Sequence, residues 1–186
     1  MKRIGLLSDT HGTLSSRIFK FFEPVDEIWH AGDIGNTETA DRLSAFKPFR
    51  AVYGNIDDHI IRRMFPVDQR FFCEEVDVLM THIGGYPGRY ETRVRNQFKI
   101  KAPQLFICGH SHILKVIFDP KYHLLHINPG AAGNKGFHQV CTAVRFVIDG
   151  KNIKDMEVLE FERTAFMEIQ LISLNFIGLK INNLLF

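Results

Sequence analysis

Seven residues of the 186-residue chain have side chains suited to divalent ions: Asp9, His11, Asp33, Asn55, His82, His110 and His112. All seven occur in the same setting, just past an apolar run. Arg3-Ile4-Gly5-Leu6-Leu7-Ser8 opens into Asp9-Thr10-His11, and Glu27-Ile28-Trp29-His30 into Ala31-Gly32-Asp33. Later runs end in Gly54-Asn55-Ile56-Asp57, Thr81-His82 and Gly109-His110-Ser111-His112. In α/β folds the C-terminal edge of the strands is where ligands collect. One such histidine is more often a hydrogen-bonded structural residue, but seven in order point to a metal centre. Carboxylate, amide and imidazole ligands suit Mn²⁺, Fe²⁺, Zn²⁺ or Ni²⁺. None of the seven is a thiolate, which argues against a structural zinc site. Gly12, Gly32, Gly54, Gly84 and Gly109 flank these residues and permit the close backbone approach that a crowded site requires.

The elements that must position them read as alternating strands and helices at first. Helices are expected over Leu14–Phe22, closed by Pro24, and over Thr37–Phe46, capped by Asn36 or Thr37 and stopped before Pro48. Strands Glu27–His30 and Phe49–Tyr53 complete the pattern of a partly parallel sheet with crossover helices. Gln69–Glu74 and Val76–Met80 are expected to pair. Pro87–Phe98 reads as a helix with Pro87 near its start and Arg89, Arg93 and Arg95 on a solvated face. After strand Gln104–Cys108 a meander is expected: Leu114–Phe118, Tyr122–Ile127, Gln139–Ile148 and Asn152–Phe161, the last two joined at Asp149-Gly150. Two packed sheets with helices outside are implied.

Composition sets limits. One domain is expected at this length, with 45% hydrophobic and 24% charged residues and a net charge of +2. That charge predicts no specific nucleic-acid partner. Three widely spaced cysteines argue against a disulfide framework. The chain enters a strand at once with no signal-peptide pattern, so a cytoplasmic location is expected. Residues 166–186 are rich in Phe, Ile and Leu but interrupted by Gln170, Asn175, Gly178, Lys180 and Asn182-Asn183, too broken for the about 20 apolar residues of a membrane span. A tail this apolar is expected to be covered by the domain or by a second copy of the chain, a route to a homo-oligomer.

The five motifs in this order resemble those of the calcineurin-like metallophosphoesterase superfamily. Together with the short chain and Asn128-Pro129-Gly130, they resemble its small bacterial and archaeal phosphodiesterase branch. The resemblance implies an α/β (α+β) fold, a four-layer αββα sandwich of two mixed β-sheets flanked by helices. It covers residues 1–161, leaving 162–186 as an apolar C-terminal extension. It implies one ion held by Asp9, His11, Asp33 and His112, and a second held by Asp33, Asn55, His82 and His110. Asp33 is then shared, and a bridging hydroxide attacks phosphorus in line with the leaving oxygen of a small phosphoester. Mn²⁺ is the expected ion, with Fe²⁺, Zn²⁺ or Ni²⁺ as alternatives.

One departure separates the chain from many relatives, in which the third motif carries a histidine thought to protonate the leaving group. Here Ile56 stands in that place and Asp57 in that of a glutamate. Isoleucine cannot donate a proton; the small phosphodiesterase branch shares this lack, and His59 is a possible substitute. Asp57 is expected either to orient a neighbour of the metals or to cap its turn. His30, His123, His126 and His138 have no motif support and read as structural or surface residues, and Cys108 as packing. The alternative function is a catalytically weak, protein-binding scaffold of the same fold, like the vacuolar sorting subunit of retromer, which lacks part of the ligand set.

Overall fold

The computed structural model of the chain describes residues 1–163. In chain order the elements are β1 (Lys2–Leu7), α1 (Ser16–Phe21), β2 (Glu27–His30), α2 (Thr37–Phe46), β3 (Phe49–Ala51), α3 (His59–Met64), β4 (Asp68–Cys73) and β5 (Val76–Thr81). Then follow β6 (Gly85–Tyr86), β7 (Arg89–Tyr90), α4 (Thr92–Lys101), β8 (Leu105–Ile107), β9 (Leu114–Asp119), β10 (Leu124–Pro129), β11 (Val140–Asp149) and β12 (Asn152–Glu162). Two five-stranded mixed sheets result, ordered β12-β11-β1-β2-β3 and β4-β5-β8-β10-β9. The expected sandwich of two mixed sheets with helices outside is what the chain forms.

Alternation along the strands decides what each face covers. Ile4 and Leu6 of β1, Val76, Val78 and Met80 of β5, and Leu105 and Ile107 of β8 point between the sheets, where they join Trp29, Val144 and Phe146. The intervening residues face outward under helices. Leu7 and Ile28 pack with Ile18, Phe22 and Leu43 of the first two helical segments, whereas Leu79 and Phe106 pack with Val94 and Phe98 of α4. Ile34, Ala40, Ala51 and Ile61 form a smaller cluster that seats α2 and α3 beside β3.

Parallel pairing aligns the strand ends. β1, β2 and β3 run parallel in one sheet, and β5, β8 and β10 in the other. Hence the loops after β1, β2, β3, β5 and β8, which carry the seven candidate residues, all leave from C-terminal edges.

Several expected elements are corrected. The helix expected from Pro87 starts at Thr92, with Glu91 as its cap accepting from the Arg93 amide. Pro87-Gly88 instead turns the β6–β7 hairpin, with Gly88 at φ +89°, the conformation a tight turn demands after proline. Arg89 therefore lies on β7, and Arg93, though exposed, is ion-paired with Asp68 and donates to Thr81 Oγ1 at 3.0 Å. The first helix starts at Ser16 because Ser15 caps it; Leu14 lies before the cap and packs in the same cluster. The short helix α3, capped by Asp58, was not expected. The late strands are not a simple meander: β10 inserts between β8 and β9, and β11 crosses to the other sheet. β12 continues to Glu162, one residue past the expected strand end at Phe161. The expectations for the apolar tail fall on 164–186 and lie outside the described residues. Among the described residues no helix is long and apolar enough to cross a membrane.

His126 of β10 is 1% exposed, between the rings of Tyr90 and Phe106. Burial holds its imidazole down to about 4, and burial holds His30 down to about 3. Both values lie below that of the unfolded chain, which therefore takes up the protons first as the pH falls. Stability is full above about pH 6.5 and is lost below it, by up to about 1.4 kcal/mol per pH unit for each histidine. Urea midpoints measured from pH 7 to pH 5 should fall, and His126→Leu should flatten the slope by one proton's worth.

Candidate metal centre

Six of the seven candidate residues converge as two groups. The ligand atoms of Asp9, His11 and His112 lie within 4.8 Å of one another, as do those of Asp33, His82 and His110. The groups adjoin through Asp33. Its Oδ2 lies 3.9 Å from His11 Nε2, and its Oδ1 lies 3.2 Å from His82 Nε2. Asp9 Oδ1 lies 3.1 Å from His112 Nε2 and 4.0 Å from His82 Nε2. Asn55 is exposed and lines a cleft of about 340 Å³ with His82 and Gly54, on the Asp33 side of the centre.

The backbone is held in place from below. The loops after β1 and β2 are zipped together by Asp9, His11 and Gly12 amides donating to the Gly32, Asp33 and Ile34 carbonyls at 2.8–3.0 Å. Five of the seven candidates, Asp9, His11, Asp33, His110 and His112, have φ between +48° and +68°. Non-glycine residues rarely adopt this left-handed region, and such strain gathers at functional sites. The residues that adopt it in Asp9-Thr10-His11 and in His110-Ser111-His112 stand two apart, and all four contribute ligand atoms to the two groups. Gly54 supplies the close approach under Asp33, since a Cβ there would stand 2.0 Å from Asp33 Oδ1.

Electrostatics suit the centre to cations. Both carboxylates are buried, at 0% and 3% exposure. Burial alone would push the Asp33 carboxyl up, but the adjacent His82 imidazole, the Ile56 amide and His11 together hold it below its usual range. Burial would likewise push the His82 imidazole down, and the adjacent carboxylates of Asp33 and Asp9, with the Ala31 carbonyl, reverse that. For His11 burial prevails over both carboxylates, and its imidazole is lowered. His82 Nδ1 donates to the Ala31 carbonyl at 2.8 Å, which directs the Nε2 lone pair into the centre. His82 Nε2 and Asp9 Oδ1 are buried with no hydrogen-bond partner among the described residues. Orphaned donor atoms of this kind, in an oxygen and imidazole set, fit divalent cations.

Several residues read from the sequence as structural support the centre. Neutral His30 accepts from the Gly32 amide through Nδ1, and its Nε2–H reaches Thr10 Oγ1 at 2.9 Å, while Thr10 donates to the Ile34 carbonyl. Asp57 neither caps its own turn alone nor faces a candidate ligand; its carboxylate accepts from the amides of Ile34, Gly35 and Gly54 at 2.7–3.1 Å. It thus ties the second motif to the third. Asn128 donates to the Gly109 carbonyl and to Ser111 Oγ, which fixes the loop bearing His110 and His112. Cys108 is fully buried with its thiol pushed up to about 12, as a packing residue should be. His59 opens α3 as an exposed residue. Sequence reasoning missed His138, whose Nδ1 lies 3.1 Å from His112 Nδ1.

Comparison with known proteins finds a family, relatives and structural neighbours. The calcineurin-like phosphoesterase superfamily domain matches residues 1–151. A protein of Methanothermobacter thermautotrophicus named as a probable metallophosphoesterase is 29% identical over 114 residues, or 59% of this chain; the match spans 66% of that protein, just under two thirds of its length. Two solved structures share the fold. An archaeal phosphodiesterase has a TM-score of 0.65 at 19% identity, covering 84% of this chain and 99% of its own. Vps29 of Entamoeba histolytica, solved with zinc, has a TM-score of 0.66 at 13% identity, covering 87% and 99%.

Asp57 is 3% exposed and satisfies three backbone donors, so Asp57→Ala leaves them orphaned. A loss of roughly 2–4 kcal/mol is expected in urea unfolding, with Asp57→Asn losing less because it keeps one acceptor oxygen.

Proposed function

The chain belongs to the calcineurin-like phosphoesterase superfamily, and on that premise we propose that it is a dinuclear metal-dependent phosphodiesterase. The observation that carries this reading is Asp33, whose two oxygens face different histidine groups. A carboxylate so placed can serve two cations and partly offset their repulsion. Asp9, His11, Asp33 and His112 would hold one ion; Asp33, Asn55, His82 and His110 would hold the other. When bound, such ions supply Lewis acidity to the phosphoryl oxygens and hydroxide at neutral pH for in-line attack. Mn²⁺ is the proposed ion, with Fe²⁺, Zn²⁺ or Ni²⁺ able to use the same donors.

The chain's own residues set the limits of the reaction. Asp33 and Asp9 supply the negative charge that would retain cations, and both, like His82, are buried away from solvent. Ile56, 47% exposed at the third motif, offers no proton to a leaving group. Such a proton typically contributes 10²- to 10⁴-fold where the leaving group needs one. Esters whose leaving group departs as a stable anion are therefore the better substrates. A small phosphoester suits the cleft beside Asn55 and His82.

The second reading, a protein-binding scaffold, is favoured by the shared fold with Vps29. Because that relative's structure holds zinc, ion uptake alone does not separate the two readings; turnover does. With Mn²⁺ the protein should hydrolyse bis-p-nitrophenyl phosphate in preference to alkyl phosphomonoesters. Asp33→Ala should reduce that activity on the order of 10³-fold. No turnover of the diester with any of the four ions would favour the scaffold, and a clear preference for alkyl monoesters would overturn the diester assignment.

A further inference from the structure

We propose that His138 is a positioning residue that holds His112 in the one tautomer able to face a cation. This rests on the dinuclear reading above. His138 lies on the loop after β10, between Gly130 and β11, and its Nε2 is 2.9 Å from the Gly133 carbonyl. A carbonyl only accepts, so Nε2 carries the proton and Nδ1 presents a lone pair. That lone pair lies 3.1 Å from His112 Nδ1. His112 must then supply the proton from Nδ1, which leaves its Nε2 bare. The bare nitrogen stands 3.1 Å from Asp9 Oδ1 and 3.3 Å from His11 Nε2, inside the first group. A chain of two hydrogen bonds therefore runs from a backbone carbonyl, through His138, to His112 Nδ1, across the ring from the ligand nitrogen Nε2.

The loop is built to hold this contact. Gly136, at φ +124°, presses against the His112 ring, and a Cβ there would stand 2.4 Å from His112 Nδ1. Arg163 donates to the carbonyls of Gly136 and His138, at 2.5 and 2.8 Å, and clamps the loop from the end of β12. The loop's base is tied to the first motif by the Ala132 and Gly133 amides, which donate to the Ser8 and Asp9 carbonyls. In the second group His82 takes its tautomer directly from the Ala31 carbonyl. The relay thus acts on one ion of the pair.

The test compares wild type, His138→Leu and His138→Asn. The asparagine carbonyl oxygen takes roughly the place of Nδ1 and can accept from His112; leucine cannot. Titration of the metal-free proteins with Zn²⁺ against a chelating dye should show two ions for the wild type. His138→Leu should weaken one of them by about 10- to 100-fold, leave the other within about twofold, and be rescued in large part by His138→Asn. Imidazole ¹⁵N shifts of the metal-free proteins at pH 8 should show His112 protonated on Nδ1 in the wild type and in His138→Asn, but shifted toward Nε2 in His138→Leu. Two outcomes overturn the proposal: His138→Leu with wild-type affinities and an unchanged His112 tautomer, or His138→Asn as impaired as leucine in both readouts. A wild type with the expected tautomer that takes up no ion sinks the dinuclear reading and, with it, the ligand role given to His112, while leaving the hydrogen-bonded relay itself in evidence.

Discussion

Two carboxylates buried side by side, Asp9 and Asp33, impose the constraint on which the rest of this structure depends. Anions out of water are costly unless positive charge or donors meet them. The chain meets them with the amides of Ile56 and His110 and gathers four imidazoles around them, those of His11, His82, His110 and His112. Those imidazoles come from loops on both sheets, so the sheets must pack in one register for the two groups to form. The apolar core between the sheets supplies the packing energy; the charged centre at its edge selects one arrangement of the loops above it. Left-handed backbone at five of the candidates fits this account, because the strain persists only where surrounding contacts fix it.

Much of the fold is legible where a local device marks an element. β2 and α2 coincide residue for residue with the sequence reading, because Asn36 caps the helix, Pro48 stops it, and Glu27–His30 is a short apolar run between turns. Where the device was ambiguous the reading failed. Proline can open a helix or begin a tight turn, and Pro87 does the latter because glycine follows it. The helix α3 buries only Ile61 among six residues, so it has no periodicity to read.

The candidate site was legible as a list, because every residue in it follows an apolar strand. Its supports were not. Asp57 exerts its effect on backbone amides 22 and 23 residues away, and nothing in the local pattern reveals which amides a carboxylate will find. His138 was hidden by distance along the chain. It lies nine residues beyond Pro129, the end of β10, rather than just past an apolar run. Because β10 runs parallel to β8, its loop still leaves from the edge where the other five meet.

The two members of the first group that meet most closely, Asp9 and His112, are separated by about a hundred residues of chain and belong to different sheets. Neither half of the polypeptide can assemble that group before the sheets dock. Any ion seated there therefore acts as a staple across the sandwich, adding to the stability of the docked state as its free concentration exceeds its dissociation constant. Folding yield in a growing cell should then follow the supply of the metal.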